Sequence, residues 1–134
     1  MAGRIALVAI VALLATAASA RSELERRTDA ADVAAFIADQ TAGQTLSGST
    51  SAFANDPQAQ EYVDRIGALA ARLELGLRAG ADRSDTHELY RELRRVRLEL
   101  IHYARRERVD VPLAESRIFE EMLGELSRYY RGVD

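Results

Sequence analysis

Seven arginines fall between positions 91 and 108: Arg91, Arg94, Arg95, Arg97, Arg105, Arg106 and Arg108. Glu92, Glu99 and Glu107 accompany them, so this segment carries a local charge of +4 (7 − 3). At about 100° per residue on a helix, Arg91, Arg94, Arg95, His102, Arg105 and Arg106 share one stripe. It lies opposite an apolar stripe of Leu89, Leu93, Val96, Leu100 and Tyr103. A basic stripe of this kind suits an anionic partner, such as an acidic protein surface. It equally suits a solvated face neutralised by acids of a neighbouring helix, for which Glu115, Glu120, Glu121 and Glu125 are the candidates. It lacks the interleaved aromatics on which single-stranded nucleic acids stack, and direct nucleic-acid binding is not expected.

The remaining chemistry is sparse. His87 and His102 are the only histidines and lie fifteen residues apart, not at the i, i+4 spacing that brings two ligands to one metal. A metal would need carboxylates from other helices, such as Glu61 or Glu115. No motif-bearing serine accompanies either histidine, so a Ser–His–acid site has no support. The chain has no cysteine, which excludes disulfides, thiolate metal sites and a cysteine nucleophile. All 18 basic residues are arginine, which excludes a Schiff-base or P-loop lysine. No catalytic, cofactor or metal site is expected, and the chain reads as non-enzymatic.

The elements that position these groups are helical. Tyr62, Val63, Ile66, Leu69, Ala70, Leu73 and Leu77 recur at three- and four-residue steps, which predicts an amphipathic helix through Glu61–Leu77. Asp56 suits its N-cap, and Pro57 suits the first helical position. Gly80 suits its stop. The next helix carries the apolar and basic stripes, with Ser84 as candidate cap. A further run, Ile118, Phe119, Met122, Leu123, Leu126, Tyr129 and Tyr130, follows Pro112, with Asp110 as candidate cap. Val33, Phe36 and Ile37 begin another helix, with Asp29 as candidate cap; Thr41–Ala54 is rich in Thr, Ser and Gly and reads as loop or weak helix. No alternating β-branched run competes. The fold expectation is all-α, with about four antiparallel helices. Were the chain dimeric, Leu89–Tyr103 is the expected shared seam.

The first twenty residues differ in kind. A short positive start is followed by the apolar run Ile5–Ala15 and by Ala18-Ser19-Ala20 in a small-x-small pattern. This is the anatomy of a secretory signal cut after Ala20. Residues 1–20 are therefore an expected export signal, 21–28 a linker and 29–134 the helical domain. Export is the expected outcome, with an uncleaved membrane anchor through residues 5–20 as the alternative, because Arg21, Arg26 and Arg27 follow the run. Cleavage leaves 114 residues with 17 arginines against 21 acids, a small domain that gains from a partner or from self-association.

The order of these features resembles the YlbF/YmcA family of small all-α regulatory proteins. Phe36-Ile37 stands nineteen residues before the box Asp56-Pro57-Gln58-Ala59-Gln60. Gly80, Val109-Asp110-Val111, Ala114-Glu115 and Met122-Leu123-Gly124-Glu125-Leu126 follow in the family's order. The match spans about residues 29–130. Gln40 and Gly43 stand where the family has serine and tyrosine. The resemblance implies a helical adaptor or regulator that works by protein–protein contact, as an oligomer, and places Leu46 and Phe53 on a long first helix. Some family members join complexes with iron–sulfur clusters coupled to the RNA-decay endonuclease RNase Y; without cysteine, the cluster-bearing role is not implied here. Two alternatives stand beside this expectation. One is an exported helical binding or structural protein unrelated to RNA decay. The other is a secreted helical enzyme similar to chorismate mutases, to which Glu88-Leu89-Tyr90-Arg91-Glu92 bears a faint likeness.

Overall fold

The computed structural model describes residues 22–43, 56–112 and 116–133. Among them the chain is all-helical, with no strand. Helix α1 runs through residues 22–43, α2 through Pro57–Arg78, α3 through Arg83–Glu107 and α4 through Arg117–Tyr129. The expected signal segment, Leu46, Phe53, Ala114 and Glu115 lie outside the described residues.

Local sequence explains the boundaries. Asp56 caps α2: its Oδ1 accepts from the backbone N–H groups of Gln58 and Ala59, each at 3.1 Å. Pro57 occupies the first turn, where a missing N–H costs nothing. At the other end Gly80 takes φ +84°, and the Ala81 N–H reaches back to the Gly76 carbonyl at 3.0 Å. This left-handed closure satisfies the last carbonyls of α2 and favours glycine. The Ser116 hydroxyl accepts from the Phe119 N–H at 3.2 Å and starts α4.

Four local assignments change. Asp110 does not cap α4, because Ser116 lies nearer and does so. Ser84 lies inside α3; Asp82 precedes that helix and makes no side-chain cap bond. Asp29 is interior to α1, and residues 22–28, assigned above to a linker, form the first turns of that helix. Glu23 there meets Arg83 at 2.9 Å, so these turns are tied to α3.

The four helices form a bundle whose neighbours run in opposite directions. Asp32 of α1 meets Arg78 at the end of α2 (2.9 Å), and buried Thr41 lies against Gly67. Arg65 of α2 meets Glu92 of α3 (3.3 Å), while Asp56 meets Tyr103 one end further on. On α3, Arg97 lies over the Phe119 ring of α4, while Thr86 bonds Tyr130 just beyond α4.

The apolar faces converge on one core. It holds Ile37 of α1; Val63, Ile66, Leu73 and Leu77 of α2; Leu93, Val96 and Leu100 of α3; and Phe119 and Leu126 of α4. The expected α2 stripe is buried at Val63, Ile66, Ala70, Leu73 and Leu77, with Tyr62 and Leu69 half-buried. Two corrections follow from this packing. Leu93, Val96 and Leu100 are fully buried within the chain, so the Leu89–Tyr103 seam is not free for a second copy. Ile118, expected on the apolar face of the last helix, is 55% exposed.

Candidate functional site

The basic stripe lies on the outer face of α3. Arg91, Arg94, Arg95, His102, Arg105 and Arg106 are all exposed. Their acidic partners come chiefly from their own helix, not from α4. Glu88 pairs with Arg91 at 3.2 Å, and Glu107 with Arg106 at 3.2 Å. Glu92 takes a close hydrogen-bonded pair from Arg95, which also reaches Glu99 at 3.4 Å. The Arg95 hydrogen bond, with Coulombic help from Arg95 and Arg65, holds the Glu92 carboxyl below its usual range. Arg94 and Arg105 make no ion pair among the described residues. The face is thus partly neutralised; Arg105 is exposed, and the Arg94 guanidinium lies 5.7 Å from the Tyr90 ring centre. Glu120, Glu121 and Glu125 do not pair with the stripe; instead Glu120 interacts electrostatically with Arg97.

Of the segment's two arginines outside the stripe, Arg97 and Arg108, Arg97 turns inward. It is 7% exposed and lies 5.0 Å over the Phe119 ring. Burial pushes its pKa below the usual guanidinium range, against the attraction of Glu120. Its place in sequence, one after Val96 on the apolar side, is the signal that it turns inward.

The box Asp56, Pro57, Gln58, Ala59 and Gln60 forms the α2 start and a tie between helices. Both Asp56 carboxylate oxygens accept from the Tyr103 hydroxyl at 2.8 Å. The Ala59 N–H bond, aided by those from Tyr103 and Gln58, outweighs burial and lowers the Asp56 pKa. Ala59 is fully buried, and the Gln60 side chain donates to Asp64 at 2.9 Å. This box starts α2 and ties it to α3.

Chemistry-bearing side chains gather at the end where α3 begins and α4 ends. Tyr90 and Tyr130 stack with ring centres 4.8 Å apart, and His87 lies 5.5 Å from Tyr130. The Tyr130 hydroxyl donates to Thr86 Oγ1 at 2.7 Å, and burial pushes its pKa up to about 12. The Tyr90 and Tyr129 hydroxyls are buried without a hydrogen-bond partner among the described residues. Two clefts flank this aromatic cluster and share Arg131. One, of about 530 Å³, lies between α1, the start of α3 and the end of α4, and includes Arg26, Arg83, Arg128, Asp29 and Glu125. The other, of about 710 Å³, lies between α3 and the turn after α4, and includes His87, Tyr90, Arg91, Arg94, Tyr130 and Arg131.

The structure therefore joins Arg91 and Arg94 of the stripe to Arg131 and His87, which stripe geometry alone does not reveal. Arg95 faces the Arg65–Glu92 pair, and Arg106 lies 5.8 Å over the Tyr103 ring at the opposite end of α3. Among the described residues no group of His, Asp and Glu is arranged to hold a metal, and no helix is long and apolar enough to cross a membrane. No family model, curated protein or solved structure matches the chain.

Proposed function

We propose that the chain is a non-enzymatic helical adaptor or regulator, similar to YlbF/YmcA proteins, that works by protein–protein contact through the outer face of α3. One observation carries this proposal. Arg94 and Arg105 stand on an exposed, rigid helix face without ion pairs among the described residues, with exposed Leu98 between them in sequence. Partly neutralised basic surface around an exposed apolar residue suits an acidic protein surface, which steers by charge and docks by burial. An N-terminal export or anchoring segment would set the compartment in which that partner is met.

A photo-crosslinking residue at Leu98, in the full chain expressed in its host, tests this. The expected result is a discrete adduct with one protein, identified by mass, that disappears in Arg94→Glu/Arg95→Glu/Arg105→Glu. Adducts unchanged in the triple variant reduce the stripe to a solvated face. Chorismate turnover in an absorbance assay would overturn the non-enzymatic assignment. Intact mass and cell fractionation set the compartment: a chain cut after Ala20 and found outside the cytoplasm is separated from RNA decay.

A further inference from the structure

We infer that the cleft between α3 and the turn after α4 is a binding site for a small phosphomonoester; it shares Arg94 with the adaptor face but does not rest on that reading. Three guanidinium groups line it, those of Arg91, Arg94 and Arg131, and among the described residues no carboxylate does. Arg94 and Arg131 form no ion pair among the described residues. Arg91 has only the exposed Glu88, a pairing worth little in water. The neighbouring cleft is different. There Asp29 and Glu125 share the lining, and Arg83 is already engaged by Glu23. Arginine excess without acids thus singles out one of the two.

The floor is aromatic and carries an unused donor. Tyr90 is 3% exposed, lines the cleft, and has its hydroxyl buried without a hydrogen-bond partner among the described residues. A buried donor left unmatched is costly; the hydroxyl has no accessible surface in this structure, so an oxyanion supplies its acceptor only by shifting the side chains that cover it. The Tyr90–Tyr130 stack closes the floor with 3% of each residue exposed, and Arg94 lies 5.7 Å from the Tyr90 ring centre. The volume, about 710 Å³, is that of a small-molecule site rather than of a bare ion. Three forked cations suit the dianionic phosphoryl group, which has oxygens enough to engage several forks, over a carboxylate that one arginine satisfies.

The test is calorimetric titration of the full chain with phenyl phosphate, with benzoate as the carboxylate arm and inorganic phosphate as the bare anion. Far-UV circular dichroism of each variant confirms folding; Arg94 and Arg131 are exposed, so their removal leaves the core intact. The expected result is one-to-one binding of phenyl phosphate, weakened about ten-fold or more by Arg94→Gln and again by Arg131→Gln. Arg105→Gln, further along the same helix face, leaves affinity unchanged. Tyr90→Phe weakens binding a few-fold without lowering the melting temperature, which a merely structural hydroxyl would not do. Absence of saturable binding at about 10 mM, a concentration that detects even a Kd of about 1 mM, overturns the assignment. So do equal losses in Arg105→Gln, which mark diffuse charge attraction, and undiminished affinity in Tyr90→Phe. Benzoate binding as tightly as phenyl phosphate overturns the phosphoryl specificity.

Discussion

The tie between Asp56 and Tyr103 makes a quantitative prediction. Asp56 Oδ1 accepts from Gln58 and Ala59, which caps α2, and both carboxylate oxygens accept from the Tyr103 hydroxyl near the end of α3. One carboxylate thus starts one helix and binds the finish of its antiparallel neighbour. Replacing it by alanine loses the cap, worth about 1 kcal/mol. It also loses a charge-assisted bond of about 1.5 kcal/mol, taken at the low end because the phenol is only half-buried and water can replace the acceptor. Asp56→Ala should therefore cost roughly 2–3 kcal/mol. Tyr103→Phe should cost about 1–1.5 kcal/mol, since its ring packing against Tyr62 at 5.6 Å is kept. The double variant should cost less than the sum by about 1–1.5 kcal/mol. Urea unfolding followed by circular dichroism gives the three values, provided the slope with denaturant is unchanged. Coupling below about 0.3 kcal/mol would refute the tie and leave Asp56 as a cap alone.

Glycine positions give opposite signs within one fold. A Cβ at Gly67 would meet Thr41 Oγ1 at 2.5 Å, and that hydroxyl is held by its bond to the Ala38 carbonyl at 2.7 Å. Gly67→Ala should lose about 1–3 kcal/mol by overpacking, against a helix-propensity gain of about 1 kcal/mol, and Thr41→Ala should restore part of the loss in thermal melts. Gly124 on the exposed side of α4 has nothing within 4 Å of a Cβ, so Gly124→Ala should instead raise stability by up to about 1 kcal/mol. Arg108 holds φ 55° at the end of α3, a left-handed conformation that costs a non-glycine residue about 1 kcal/mol; Arg108→Gly should raise the melting temperature. The pH dependence has two limbs. The depressed Asp56 pKa contributes stability that is present above the ordinary carboxylate range and lost as pH falls through its folded pKa. The raised Tyr130 pKa contributes stability that is present below about pH 10 and lost as pH rises toward about 12. Asp56→Asn should flatten the acid limb and Tyr130→Phe the alkaline one, both read from urea midpoints across pH.

Helix existence was legible because it rests on period and punctuation. The α2 stripe, the Asp56-Pro57 start and the Gly80 stop are local signals, and each holds in the structure. Caps further along were misplaced for a physical reason. Several polar residues precede α3 and α4, and a side-chain oxygen caps only when the backbone turns at that residue. Ser116 does so for α4, while Asp82 precedes α3 with no side-chain bond at all. Residues 22–28 are rich in charge and read as a linker, yet they belong to α1, and Glu23 among them reaches Arg83. The stripe was legible as a face. Its neutralisation was not, since Glu88, Glu92, Glu99 and Glu107 on the same helix outcompete the acids of α4.

What escaped sequence reasoning most is the convergence of α3 with the turn after α4. Arg131 stands forty residues from Arg91, and only antiparallel packing brings the two to one cleft. That packing is anchored by buried groups: Tyr130 donates to Thr86, and Arg97 lies over Phe119 at the other end of the pair. Both anchors use polar or charged residues inside an otherwise apolar interface. Burial makes such groups expensive, as the lowered Arg97 pKa and the raised Tyr130 pKa reflect. The bond between Tyr130 and Thr86 favours one register, because a slip of α4 by a turn leaves the buried Tyr130 hydroxyl unmatched, while Thr86 keeps its bonds to the Asp82 and Arg83 carbonyls. The same register that fixes the core therefore sets where Arg131 lies relative to Arg91 and Arg94. Fold specificity and the basic cleft depend on one set of contacts, so a substitution such as Thr86→Val acts on both: it removes the acceptor, loosens the register and displaces the cations without touching them.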